Sequence, residues 1–74
     1  MHPVIVVVRP SAGVWLVEGA GATQVFTKAS EAERWARQAA QSAALGGRFV
    51  ELRVMDLQGR LAGTIAFGMT LAMA

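Results

Sequence analysis

Nucleophilic catalysis needs a serine, threonine or cysteine beside a base that can take its proton. This chain has no cysteine and a single imidazole, His2, near a terminus, where chains fray. His2 therefore reads as a solvated terminal residue rather than a general base. The five carboxylates, Glu18, Glu31, Glu33, Glu51 and Asp56, are scattered. A metal cage needs several oxygen, nitrogen or sulfur ligands converging on one point, so no metal is expected. Glu51 and Asp56 would be the pair for acid–base work, but one sits on the polar side of a strand-like run and the other at a turn, where carboxylates serve solubility and turn geometry. Gly19-Ala20-Gly21 has the look of a nucleotide-binding glycine loop. It leads into Thr23 to Phe26, an extended run, whereas the dinucleotide fingerprint needs a helix N-terminus to meet the phosphates. No catalytic residue and no cofactor is expected, and the chain reads as not an enzyme.

Two further residue types suit binding. Trp15 and Trp35 would make stacking platforms for bases, but tryptophan on an inward strand position or a helix stripe is more often core. Arg9, Arg48, Arg53 and Arg60 fall on or beside strand-like runs, and strands presenting arginine can enter a DNA groove. Glu18, Glu51 and Asp56 are interleaved with them and would repel phosphate, which favours a mixed-charge solvated surface. The sequence pI near 10.6 adds little, because the formal net charge is only +2, from six arginines and one lysine against five acids.

Composition points to association. Seventy-four residues make one domain that buries only about 60% of the surface its unfolded chain exposes. Without cysteine or a metal cage, such a small domain gains stability most readily from a partner chain. Hydrophobic residues are 54% of the sequence and charged ones 16%, more apolar surface than a monomer of this length readily hides. The excess is not a membrane span. Val4 to Val8 is five residues, and the fourteen uncharged residues from Leu61 to Ala74 are interrupted by two glycines, where a helical span needs about 20. No basic segment precedes Val4 to Val8 as a secretory signal would require, so the cytoplasm is the expected compartment.

The order of periodicities defines the frame. Val4 to Arg9 is rich in β-branched residues, and Pro10-Ser11-Ala12-Gly13 is a turn into Val14 to Glu18. Gly19 to Ala22 is a flexible or bulged interruption before Thr23 to Phe26, which either continues the second strand or forms another. A helix is expected from about Ala29 to Ala44, started by Thr27 or by a Ser30-x-x-Glu33 capping box. Its apolar stripe is Ala32, Trp35, Ala36, Ala39, Ala40 and Ala43, with Trp35 as the bulk, while Glu33 and Arg37 stand in the favourable i, i+4 order. Gly46-Gly47 closes it. Val50, Leu52 and Val54 alternate with Glu51 and Arg53 as a half-buried strand. Asp56 opens a type I turn, with Gly59 at the left-handed position, and the return strand turns Leu61, Gly63, Ile65 and Phe67 inward. Residues 68–74 form an apolar C-terminal tail.

The expected fold is α+β, a two-layer ββαββ domain spanning residues 1–74, with an antiparallel sheet of about four strands and the helix on one face. If Trp15 and Val17 point at the helix, Val14 and Leu16 point away from it. Val4, Val6 and Val8 then alternate with Ile5 and Val7, so the first strand is apolar on both faces.

Gly13-Val14-Trp15-Leu16-Val17, Phe26-Thr27-Lys28 leading into an alanine-rich helix with Ala36-Arg37, and Asp56-x-x-Gly59-Arg60 together resemble a family of small bacterial ββαββ domains of unknown function. In that family a Gly-Trp-x-Val strand, a Thr-Lys helix start and a late Asp/Gly-Arg hairpin recur in this order. The resemblance runs from about Val4 to Phe67, with Val14 inserted between glycine and tryptophan, a longer approach to the helix, and an apolar rather than polar ending. It implies the fold, and it implies no active residues.

The functional expectation is a non-enzymatic, self-associating protein-interaction module, a homodimer or larger, with an unidentified protein partner and an interface built from Ile5, Val7, Val14, Leu16, Met69 and Leu71. The alternative is a small nucleic-acid binder that uses Arg9, Arg48, Arg53 and Arg60. A small-molecule site would follow only if two subunits left a cavity between them.

Overall fold

Val4 to Val8 lies in the central strand of the sheet, with Val4, Val6 and Val8 packed under the helix and Ile5 and Val7 on the opposite face. The computed structural model describes residues 3–19 and 21–68. It contains β1 (Val4–Ser11), β2 (Val14–Gly19), β3 (Ala22–Phe26), α1 (Ala29–Leu45), β4 (Val50–Met55) and β5 (Leu61–Phe67). They form one five-stranded sheet in the order β3-β2-β1-β4-β5, with α1 on one face.

This corrects the expected four-stranded antiparallel sheet in two ways. Ala22 to Phe26 is a separate strand, antiparallel to β2, with Gly19 opposite Ala22. The reversal is possible because Gly19 and Gly21 take positive φ. The sheet is also mixed: β1 and β4 run parallel, Val4 opposite Val50 and Val8 opposite Val54, while the other three pairings are antiparallel. Parallel neighbours need a long crossover, and the β2–β3 hairpin followed by α1 supplies it.

The first turn is tighter than expected. Pro10 and Ser11 belong to β1, opposite Trp15 and Val14, and only Ala12 and Gly13 form the loop, at φ 51° and 85°. Two positive φ angles in a two-residue hairpin loop are the signature of a type I′ turn, whose twist matches the strands. Pro10 is tolerated because the pairing of β1 with β4 ends at Val8.

Helix α1 starts without either expected cap. Lys28 is the N-cap, extended and making no side-chain capping hydrogen bond, and Ser30 already lies within the helix. The first intrahelical bond runs from the Ala32 N–H to the Lys28 carbonyl. At the other end the Gly47 N–H donates to Ala44 O at 3.0 Å and the Arg48 N–H to Ala43 O at 3.4 Å, a Schellman closure allowed by Gly47 at φ 92°. Ala32, Ala36 and Ala40 are fully buried, so the helix backbone lies close on Val6, Val8, Val17, Val50 and Leu52. The bulk of the core therefore comes from the sheet. Trp35 stands at its margin, 36% exposed, with its ring tilted against Phe26 at 6.1 Å. Glu33 and Arg37 form no ion pair; among the described residues the pairs are Arg9 with Glu18 and Arg53 with Glu51.

The β4–β5 turn follows the sequence. Asp56 Oδ1 accepts from the backbone N–H groups of Gln58 and Arg60, each at 2.9 Å, the Gly59 N–H donates to Asp56 O, and Gly59 sits at φ 78°. A bulge beside Val54 and Met55 then shifts the register, so that Leu61 opposes Met55 while Gly63 opposes Val54. Ile65 and Phe67 pack on the core as expected, but the extra residue turns Leu61 to the other face, where it is 56% exposed.

Candidate functional site

The candidate site is the sheet face opposite α1. Strand alternation assigns its residues directly: Val6 and Val8 are buried under the helix, so Ile5, Val7 and Arg9 point the other way. Val17 is buried and Trp15 packs on the core, which leaves Val14, Leu16 and Glu18 on the open face. Likewise Leu52 is buried and Val54 packs on the core, so Glu51, Arg53 and Met55 face outward.

The register arranges these residues in rows. Val7 stands between Glu18 of β2 and Arg53 of β4, and the row continues to Thr23 of β3 and Thr64 of β5. One step along, Arg9 neighbours Leu16, which neighbours Val25. On the other side Ile5 neighbours Glu51, which neighbours Ala66. Val25 is 61% exposed and Ile5 39%. Val7, Val14 and Leu16 are half-buried.

The charges on this face are paired. Arg9 Nε donates to Glu18 Oε1 at 2.7 Å and Nη2 to Oε2 at 3.2 Å, and the Arg53 Nε donates to Glu51 Oε2. The Arg9 hydrogen bond holds the Glu18 carboxyl below the usual carboxylate range, and the same contact raises the Arg9 guanidinium. Two arginines and two carboxylates thus leave this surface without net charge.

Of the residues expected at an interface, Ile5, Val7, Val14 and Leu16 share this face, while Met69 and Leu71 lie outside the described residues. The arginines of the nucleic-acid alternative are not gathered. Arg9 and Arg53 are here, each tied to a carboxylate, whereas Arg48 precedes β4 and Arg60 follows it, at opposite ends of that strand. Sequence reasoning missed Val25, Met55 and Leu61. Val25 had a signal, since Phe26 is a core residue and its neighbour must point away; Leu61 had none, because a bulge is a property of the pairing.

An open apolar depression of about 330 Å³ lies at the end of the sheet where Pro3, Phe49 and Phe67 meet. Glu51 is the sole charged residue lining it, so few polar groups could orient a ligand. Among the described residues no polar or charged side chain is buried, and no three His, Cys, Asp or Glu side chains gather. No helix among them is long and apolar enough to cross a membrane. No family model, curated protein or solved structure matches this chain.

Proposed function

We propose that the chain is a non-enzymatic interaction module that associates with a second copy of itself through the open face of its sheet. The observation that carries this reading is Val7: it lies at the centre of a five-stranded sheet, on the same face as Ile5, Leu16 and Val25, and no element of the described chain covers that face. Apolar side chains on the middle strands of a bare face favour burial against another surface, and a closed two-fold pair covers the same patch on both partners at once. The resemblance to small bacterial ββαββ domains assigns no role to any residue, so the proposal rests on the face alone.

Size-exclusion chromatography with light scattering at tens of micromolar tests it. A dimeric mass is expected, and Leu16→Lys should shift it to the monomer with the circular dichroism of the fold retained. A clean monomer for the unaltered chain overturns the reading. Retention of duplex or single-stranded DNA in a low-salt gel shift would move the function to the arginines instead.

A further inference from the structure

The central row of the open face, Thr23–Glu18–Val7–Arg53–Thr64, is symmetric in residue type about Val7 and opposite in charge. Glu18 stands one strand to one side of β1 and Arg53 one strand to the other. Two identical faces can stack about a two-fold axis that lies between them, and two orthogonal choices through Val7 give opposite electrostatics. An axis across the strands sets each residue of this row over its own copy, so that Glu18 meets Glu18 and Arg53 meets Arg53. An axis along β1 exchanges the two sides, so that Glu18 of each copy meets Arg53 of the other and threonine meets threonine at the rims.

We propose that the occupant of this face is a second copy of the chain, stacked sheet on sheet about a two-fold axis running along β1, with Glu18 facing Arg53 of the partner subunit. The proposal rests on the self-association reading and adds its geometry. Strands of the two sheets then run within the roughly 30° at which twisted sheets pack. Each Glu18–Arg53 contact joins two ion pairs already present, Arg9 with Glu18 in one copy and Arg53 with Glu51 in the other, into one four-membered chain of alternating charge. The apolar residues follow the same exchange. Leu16 and Val25 lie on the β2–β3 side. They meet Met55 and Leu61 of the partner subunit, because Met55 is one residue beyond Val54, the parallel neighbour of Val8, and is therefore level with Arg9. Val7 packs on its own copy at the axis.

Charge reversal tests the axis. In Glu18→Arg, two arginines of each copy face two of the other, and in Arg53→Glu, two carboxylates do. Each variant alone should dimerise at least about 100-fold more weakly than the unaltered chain, because like charges are set opposite each other twice per dimer. Mixed together, the two variants satisfy both contacts, and a heterodimer within about tenfold of the original affinity should form, read by light scattering and native mass spectrometry. Circular dichroism checks that each variant folds; should a reversal fail to fold, Glu18→Gln and Arg53→Gln replace them, with the same weakening alone and recovery on mixing, both smaller. If the unaltered chain is a monomer, the self-association reading falls and this inference with it. If the unaltered chain dimerises but the single variants do so equally well, or mixing gives no recovery, the axis along β1 is overturned while self-association stands.

Discussion

Arg9 reaches across the β1–β2 ladder to Glu18 by a two-pronged contact, Nε to Oε1 at 2.7 Å and Nη2 to Oε2 at 3.2 Å. Val7, not Arg9, is the residue directly opposite Glu18, so the contact is diagonal. The two-pronged contact gives the open face a fixed pattern of charge.

That contact has a pH signature. The folded state lowers the Glu18 pKa through the Arg9 hydrogen bond, so the stability it contributes is present above the unfolded carboxylate value and lost as pH falls through the folded one. Replacing Arg9 by methionine should therefore reduce stability by an amount that is constant above about pH 5 and shrinks at lower pH. Urea unfolding from pH 7 to pH 2 at one protein concentration reads the difference. A gap between the two proteins that stays unchanged across that range would refute the assignment. The raised Arg9 value works in the opposite sense, its contribution being lost only as pH rises beyond the ordinary guanidinium range.

Gly19 is required by close approach. A Cβ there would stand 2.5 Å from the Ile5 carbonyl oxygen and 2.9 Å from the Val6 Cα, and the residue sits at φ 143°. Both obstacles are backbone atoms of the central strand, which cannot rotate away. Gly19→Ala should destabilise the fold by about 2–4 kcal/mol, from positive-φ strain and overpacking together. Chemical denaturation measures it, and a loss below about 0.5 kcal/mol, the range of a neutral surface change, would show that β1 and β2 separate easily.

Ala12 carries strain that a better residue would relieve. It holds φ 51° in the two-residue loop between β1 and β2, a region that costs an L-residue with a Cβ roughly 1–2 kcal/mol. Asparagine followed by glycine is the preferred pair in such a loop. Ala12→Asn should accordingly raise stability by about 0.5–1 kcal/mol, seen as a higher denaturation midpoint with an unchanged slope. An unchanged or lower midpoint would contradict the type I′ geometry.

Elements governed by neighbours along the chain are legible in the sequence itself. The helix from Ala29, the Gly46-Gly47 closure, the Asp56–Gly59 turn and the inward placement of Val17, Leu52 and Phe67 all follow from residues a few positions apart. The open apolar face is legible too, as far as Ile5, Val7, Val14 and Leu16, because strand alternation is local once one inward residue is known. The helix cap is the local feature that escapes: two nearby signals, Thr27 and Ser30, compete for it, and Lys28, which takes the position, lies between them.

Tertiary structure alone decided what lies beside what. Parallel pairing of β1 with β4 joins residues about forty-five positions apart, such as Val7 and Arg53, and nothing in either strand's periodicity selects that neighbour. The bulge that turns Leu61 outward exists only in the β4–β5 pairing. For the same reason the row Glu18–Val7–Arg53 has no counterpart in the linear chain, because hydrophobic alternation assigns a face, whereas strand order and register assign the neighbours on it.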